Sequence, residues 1–204
     1  MVLKMDGENK KYLIIGIVII VVAITVISAS CVSAGLFDSS SSNALKSSGE
    51  YKIGEDIPAG EYYVKCTSSN LYVEISSDST GSIDSIITNL NTEGGTYITV
   101  HDGEYLTIQG GDIYELDKSP NRGAENGYYT NGMYKVGSDI PAGEYSVEAT
   151  SGMAYIEVAS DSSHTIDSIV TNDNFEGNTK ITLSDGQYLT LDNGARIKAW
   201  VSVI

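Results

Sequence analysis

Apolar and polar side chains alternate along several short stretches that follow residue 50. In residues 61–66 and 71–76 every second side chain is apolar, and the same alternation returns in residues 144–149 and 154–159. A period of two is typical of a strand with one buried face. No amphipathic helical pattern follows residue 37, so the sequence predicts an all-β protein.

Turn signals separate these stretches. Pro58 presets a turn, Gly60 accepts a positive φ, and the Asp56 carboxylate is expected to accept hydrogen bonds from N–H groups of that turn. Asp102 and Gly103 form a two-residue signal that is typical of a β-hairpin. The second half of the chain carries the same structural turn residues, Asp139, Pro141 and Gly143.

An internal repeat organises the chain. Residues 51–62 read Tyr-Lys-Ile-Gly-Glu-Asp-Ile-Pro-Ala-Gly-Glu-Tyr, and residues 134–145 differ from them at two positions. Over residues 51–108 an offset of 83 gives 35 identities in 58 aligned pairs. Because copies this similar share a fold, the sequence predicts two tandem small β-sandwich or barrel-like domains.

The repeat also sets the domain boundaries. We expect repeat 1 over residues 51–116 and repeat 2 over residues 134–204, joined by a linker over residues 117–133. A serine-rich linker, residues 38–50, precedes repeat 1 and is expected to be flexible. Trp200 is expected in the core or at an interface of the last strand.

A long apolar segment precedes the repeats. Residues 13–27 contain no charge, and residues 12–37 are long enough to cross ~30 Å of hydrocarbon as a helix. Lys10 and Lys11 directly precede this segment, so the positive-inside rule places residues 1–11 in the cytoplasm and both repeats outside the cell. We therefore predict one N-terminal transmembrane helix and a single-pass protein of the cell membrane.

Two other interpretations of this segment stay open. Val32-Ser33-Ala34 has the small residues of a cleavage site, and cleavage there would release the chain. Cys31 would carry a lipid in a lipoprotein, although Ser28 is not the apolar residue usual three positions before such a cysteine. All three interpretations place the repeats outside the cell.

The charge excludes one class of partner. The chain has 12 Lys and Arg against 27 Asp and Glu, a formal net charge of −15. Such a chain repels phosphate backbones, which proteins bind through Lys and Arg, so we expect no nucleic-acid ligand. Cys66 aligns with Ala149, which indicates a small apolar site rather than half of a disulfide.

The repeated motif resembles a known module. Tyr-Lys-[Ile/Val]-Gly-x-Asp-Ile-Pro-Ala-Gly-Glu-Tyr, followed by Asp-Gly-[Glu/Gln]-Tyr-Leu, is similar to a repeat of exported or membrane-tethered proteins from Gram-positive bacteria and methanogenic archaea. The resemblance covers residues 51–116 and 134–204. It implies a small β-domain, commonly in several copies behind a transmembrane segment. No functional residue and no biochemical role carries over with it.

Candidate catalytic chemistry is sparse. His101 and His164 are the two histidines of the chain, and they align with Ser184 and Gly81, so neither position requires an imidazole. The sequence has no Gly-x-Ser-x-Gly elbow for a serine nucleophile. Two histidines without a cysteine cluster do not favour zinc. We expect a protein that is not an enzyme and that holds no cofactor.

Acidic residues beside loops rich in serine and threonine recur in both copies. They are Asp78, Asp84, Asp161 and Asp167. Carboxylate oxygens suit Ca²⁺, but calcium needs six to eight converging ligands, and this spacing fits no EF-hand loop. The competing interpretation is that these side chains cap turns.

The strand phases place Tyr63, Tyr72 and Tyr155 on the face opposite the aliphatic side chains. Rings in such positions stack on sugars, but they also suit strands through cross-strand packing. We expect an adhesin-like cell-surface module that binds a polysaccharide or a protein, with a structural envelope spacer as the alternative. Self-association through exposed strand edges also stays open.

Overall fold

The computed structural model describes residues 43–199, which form two antiparallel β-sandwiches in tandem. The prediction of an all-β protein is therefore confirmed, and the four antiparallel sheets are consistent with the predicted pair of tandem β-sandwiches. The predicted transmembrane segment, residues 12–37, lies outside the described residues, as does Trp200. Within residues 43–199, no helix is both long and apolar enough to cross a membrane.

Repeat 1 consists of two sheets that face each other. Its strands are β1 (Gly49–Lys52), β2 (Gly60–Cys66), β3 (Leu71–Ser76), β4 (Ile86–Thr92), β5 (Thr96–Val100), β6 (Tyr105–Gln109) and β7 (Gly111–Glu115). One sheet has the order β1-β6-β3-β4, and the other has the order β5-β2-β7. A single 3-10 turn, Ile83–Ser85, leads into β4.

Repeat 2 has the same plan. Its strands are β8 (Tyr128–Tyr129), β9 (Gly132–Lys135), β10 (Gly143–Ala149), β11 (Ala154–Ala159), β12 (Ile169–Phe175), β13 (Asn178–Leu183), β14 (Tyr188–Asp192) and β15 (Ala195–Lys198). The sheet orders are β12-β11-β14-β9 and β13-β10-β15-β8. A second 3-10 turn, Ile166–Ser168, leads into β12.

Each repeat begins earlier than its motif. In repeat 2, β8 lies inside the expected linker 117–133 and pairs with β15. In repeat 1, Lys46 of the expected linker 38–50 makes the equivalent bridge to Ile113. Residues just upstream of the motif therefore add an edge to each sandwich.

The alternating stretches supply the two cores. On β2 the side chains of Tyr62 and Val64 are buried, and on β3 those of Leu71, Val73 and Ile75 are buried. The equivalent strands β10 and β11 bury the matching side chains of repeat 2 in a separate core. Full burial of one Val, Leu or Ile side chain contributes roughly 1.5–3 kcal/mol, so these faces hold each sandwich together.

The turn at Asp102 and Gly103 does not close a hairpin. It joins β5 to β6, and these strands lie in different sheets. The Gly103 N–H donates to the Ile53 carbonyl (3.0 Å), and the Ile53 N–H donates to the Glu104 carbonyl (2.8 Å). The predicted β-hairpin is therefore wrong, because β5 and β6 do not pair with each other. The two hydrogen bonds hold the turn against Ile53 where the chain passes from one sheet to the other.

The predicted turn residues of repeat 1 belong to two successive turns. Gly60 follows Pro58 and has a φ of 156°, whereas the Asp56 carboxylate accepts the Lys52 N–H at 2.8 Å in the preceding turn, not an N–H group of the turn at Pro58. In addition, the Tyr62 hydroxyl donates to the Pro58 carbonyl at 2.7 Å, which ties β2 to its own turn. Repeat 2 reproduces these features with Gly143, Asp139 and the Tyr145–Pro141 bond.

Candidate binding surface and the contact between the repeats

The outer face of the β1-β6-β3-β4 sheet carries a tyrosine beside an acid and an amide. Tyr72 and Glu74 alternate with the buried residues of β3, and the Tyr72 hydroxyl donates to the Glu74 carboxylate. Asn89 on β4 and Thr107 on β6 flank Glu74 in the strand register. All four residues are half-buried. We call this group, Tyr72, Glu74, Asn89 and Thr107, the tyrosine patch of repeat 1.

Repeat 2 carries an equivalent tyrosine patch. The Tyr155 hydroxyl donates to the Glu157 carboxylate at 2.5 Å and accepts from the Asn172 amide at 3.3 Å. Thr190 lies opposite Glu157 on the neighbouring strand. Two of the three predicted ligand-binding tyrosines, Tyr72 and Tyr155, thus lie in the same local arrangement.

The environment keeps both tyrosines protonated. Burial, with the hydrogen bond to Glu74, raises the pKa of Tyr72 to about 12. Burial and the charge of Glu157 raise the pKa of Tyr155 as well. Burial also raises the pKa of Glu157, against the opposing hydrogen bond from Tyr155. Each patch therefore offers neutral phenols, suited to ring stacking and hydrogen bonding.

The third predicted ligand-binding tyrosine, Tyr63, packs between the two repeats. It is 9% exposed, and its ring lies edge-on to Tyr97 with 5.3 Å between centroids. Tyr97 in turn lies edge-on to Tyr188 of repeat 2 at 5.6 Å. Met133 and Ala159 complete this apolar cluster. In this arrangement the Tyr63 ring is not available to a ligand.

Glu61 is the polar centre of the contact between the repeats. Its carboxylate accepts from Lys135 Nζ (2.9 Å), Ser162 Oγ (3.0 Å) and the Tyr188 hydroxyl, which all belong to repeat 2. Burial alone would raise the pKa of Glu61, but these three hydrogen bonds outweigh it, so the pKa lies below its ordinary value. Glu61 is thus held as a carboxylate at neutral pH.

A second polar group borders the tyrosine rings. The Tyr97 hydroxyl donates to Asp139 at 2.5 Å, and Arg122 Nε donates to the same carboxylate at 3.0 Å. The Arg122 guanidinium lies over the rings of Tyr63 and Tyr97 at 5.2 and 5.0 Å from their centroids. Asp139, predicted as a turn residue, therefore also joins the repeats, together with an arginine of the expected linker.

His164 also contacts repeat 1. Its Nε2 lies 2.7 Å from the Tyr97 carbonyl oxygen, which can only accept, so we assign the ring proton to Nε2. Burial lowers the pKa of His164, which favours the neutral ring. Two further bonds join the repeats nearby: Thr88 Oγ1 donates to the His164 carbonyl (2.9 Å), and the Thr99 N–H donates to the Ser162 carbonyl (2.9 Å).

Sequence reasoning missed this contact, although the repeat alignment held a signal for it. Side chains at the contact align with exposed residues of a different character in the other copy. The aligned pairs are Tyr63/Ser146, Tyr97/Lys180, Met133/Glu50 and His164/Gly81. Three of these four pairs set an apolar side chain at the contact against a polar one in the other copy, and this was the signal in the alignment.

The calcium candidates take part in turns. Asp78 accepts from the Thr80 N–H (2.9 Å) and hydroxyl (2.6 Å), and Asp161 accepts from the Ser163 N–H (2.9 Å). Asp84 and Asp167 are exposed in the two 3-10 turns. In the described part of the chain, no three His, Cys, Asp or Glu side chains are grouped to hold a metal ion.

An open groove of ≈ 690 Å³ lies beside the contact. Its lining includes Asn131, Asn193, Arg196 and Glu93. The Asn131 amide donates to Glu93 at 2.8 Å, and its oxygen accepts the Gly194 N–H at 3.2 Å. These polar groups already bond one another, in contrast to the apolar pockets typical of small-molecule sites.

No protein-family model, no curated protein and no solved structure matches the chain.

Proposed function

We propose that this chain is a non-catalytic, adhesin-like binding protein of the cell surface. In this proposal, residues 12–37 anchor it in the cell membrane with the N-terminus in the cytoplasm, and both repeats lie outside the cell. The observation that supports binding is the tyrosine patch of repeat 1, where the half-buried Tyr72 ring stands beside Glu74 and Asn89.

A surface polysaccharide is the ligand that suits this patch best. A phenol ring packs against the C–H face of a sugar, while carboxylate and amide groups bind its hydroxyls. Repeat 2 carries the same chemistry around Tyr155, so a ligand with repeating units would meet two weak sites on one chain and gain avidity. A protein ligand at the same patch is the second possibility.

A structural spacer is the alternative function. The observation in its favour is the contact between the repeats, in which Glu61 accepts three hydrogen bonds and the tyrosine rings pack edge to face. Such a contact would hold two sandwiches as one stiff rod above the membrane, with no need for a ligand.

The binding test uses purified residues 38–204, isolated cell envelope and a panel of polysaccharides, with and without EDTA. We expect saturable binding that Tyr72→Ala weakens at least several-fold and Tyr72→Phe weakens less, because Phe keeps the ring. Tyr155→Ala reports on the second patch, and Tyr128→Ala, outside both patches, serves as the control. If EDTA weakened the binding, the four aspartates would again be candidate calcium ligands.

Two results would count against these proposals. Absence of saturable binding by a folded protein would remove the binding function and leave the spacer ahead.

Labelling of single cysteines in intact cells tests the topology. If a cysteine in the repeats reacted with an impermeant reagent only after lysis, the extracellular placement would be wrong.

A further inference from the structure

The two repeats join through different faces. Repeat 1 contributes a leading face, which we define as Glu61, Tyr63, Tyr97 and Thr99 on β2 and β5. Repeat 2 contributes a trailing face, Lys135, Asp139, Ser162 and Tyr188. A contact between two unlike faces uses one face of each kind and leaves one of each kind open, so further units can add until the chain of units closes into a ring.

One face of each kind is therefore open on this chain. The leading face of repeat 2 consists of Glu144, Ser146, Lys180 and Thr182, and all four are exposed. The trailing face of repeat 1 consists of Lys52, Asp56, Ser79 and Tyr105, which are exposed or half-buried. The open faces are equivalent, position by position, to the two faces that already meet within the chain.

The polar centre of the contact is retained on the open faces. Glu61 aligns with Glu144, and its three donors Lys135, Ser162 and Tyr188 align with Lys52, Ser79 and Tyr105. The Thr99–Ser162 contact also has its equivalents in Thr182 and Ser79. Both open faces thus keep the hydrogen-bonding groups that join the repeats.

At some positions the open faces differ from the two faces that meet within the chain, and there the replacements carry opposite charges on the two open faces. Tyr97, which donates to Asp139, is replaced by Lys180, and Asp139 is retained as Asp56, so a hydrogen bond becomes a possible ion pair. Met133, which lies in the same cluster as Tyr97, is replaced by Glu50. One face thus gained a positive charge where the other gained a negative one.

We propose that the partner of these open faces is a second copy of this chain, docked head to tail. Glu144 of one molecule accepts from Lys52, Ser79 and Tyr105 of the next, and Lys180 of the first pairs with Asp56 and Glu50 of the next. The contact is weaker and more sensitive to salt than the one within the chain, because Ser146 and Gly81 replace the packing of Tyr63 and His164.

The present partners of these charges do not prevent the exchange. Lys180 lies 3.3 Å from Glu144, and Lys52 lies 2.6 Å from Glu55. These are ion pairs at the surface, which stabilise little and reform easily. Within the chain, repeat 1 covers the trailing face of repeat 2, and Tyr155 nevertheless stays half-buried. We therefore expect the docking of a second chain on the trailing face of repeat 1 to leave Tyr72 accessible to the same degree.

The test identifies which residues meet between molecules. Unlabelled full chains and ¹⁵N-labelled full chains are mixed in detergent. The mixture is treated with a carbodiimide, which joins a lysine to a carboxylate in direct contact. We expect cross-linked peptides of mixed isotope content that pair Lys52 with Glu144, and Lys180 with Glu50 or Asp56. Their yield should fall as salt rises.

A charge exchange provides the matched control. Lys180→Glu should abolish the mixed cross-links, and the double variant Glu50→Lys/Lys180→Glu should restore part of them. Absence of mixed cross-links in the natural chain would overturn the proposal and show that the open faces are capped ends. Cross-links between other residue pairs would overturn the geometry. Tyr72→Ala should leave the yield of mixed cross-links unchanged, so the docking of two chains and the binding of a ligand are tested independently.

Discussion

At the scale of single residues, identical side chains have different roles in the two copies. Glu61 accepts three hydrogen bonds from repeat 2, whereas its equivalent Glu144 is exposed and lies 3.3 Å from Lys180. The carboxylate is the same, and the difference lies in what faces it. The contribution of such a residue to stability therefore depends on its neighbours in the folded chain.

This difference is measurable by mutation. Glu61→Ala should lower the free energy of unfolding by about 2 kcal/mol, because it leaves Lys135 and Tyr188 without their charged acceptor. Glu144→Ala should change it very little, since surface ion pairs contribute little. Urea unfolding of residues 38–204, which contain both cores, gives the comparison, and equal losses for the two variants would contradict this role of Glu61.

Position 164 combines an unusual backbone with a half-buried imidazole that contacts repeat 1. His164 has a φ of 56° and aligns with Gly81, whose φ is 70°. Glycine adopts this region at no steric cost. His164 is accommodated there while its Nε2 donates to the Tyr97 carbonyl across the contact.

The lowered pKa of His164 predicts a dependence of stability on pH. Because the folded protein resists protonation of this ring, the unfolded chain binds the proton more readily below its own pKa of about 6.5. Stability is therefore present above that pH and is lost as pH falls. His164→Asn tolerates the backbone and does not titrate. Between about pH 7 and pH 5 the stability of the natural chain should fall relative to this variant, whereas parallel urea-unfolding profiles would refute the effect.

At the scale of elements, the two copies behave alike where their surroundings are alike. The strands β2 and β10 each follow a Pro-Ala-Gly turn, and each returns a tyrosine hydroxyl to the proline carbonyl at 2.7 Å. All residues of this turn and of the strand that follows it lie close together in the sequence, so the turn could be predicted from the sequence. The Asp102-Gly103 turn was also recognised, but its strands pair elsewhere because the stacking of the two sheets decided their partners.

The tyrosine-to-turn bond should contribute equally in both copies. Tyr62→Phe and Tyr145→Phe each remove one half-buried hydrogen bond and keep the ring, so each should cost about 1 kcal/mol of unfolding free energy. Chemical unfolding of the two single variants gives the values. A large effect in only one of them would show that the two units are not equivalent.

At the scale of the whole molecule, the contact between the repeats links two separate cores. Each sandwich has its own apolar cluster, and a third cluster of Tyr63, Tyr97, Tyr188, Met133 and Ala159 lies between them. Gly94 permits the close approach, since a Cβ there would lie 2.0 Å from the Asn131 carbonyl oxygen.

We expect the two repeats to unfold together. The heat-capacity profile of residues 38–204 should show a single transition, because loss of one repeat exposes the tyrosine cluster of the other. The double variant Glu61→Ala/Tyr97→Ala should separate it into two transitions, while Glu144→Ala/Lys180→Ala, at the equivalent positions, should not. Two resolved transitions in the natural chain would mean that the contact does not couple the repeats.

The sequence by itself determined the all-β class, the duplication, the buried faces of the strands and the proline turns, because each depends on neighbours along the chain. It did not determine the pairing of strands or the environment of Tyr63, Glu61 and His164. Strand partners and the covered face of a sheet depend on residues far apart in sequence, and only packing brings those together. Two repeats of one fold therefore became unlike in the tertiary structure, where one repeat buries its leading face and the other its trailing face.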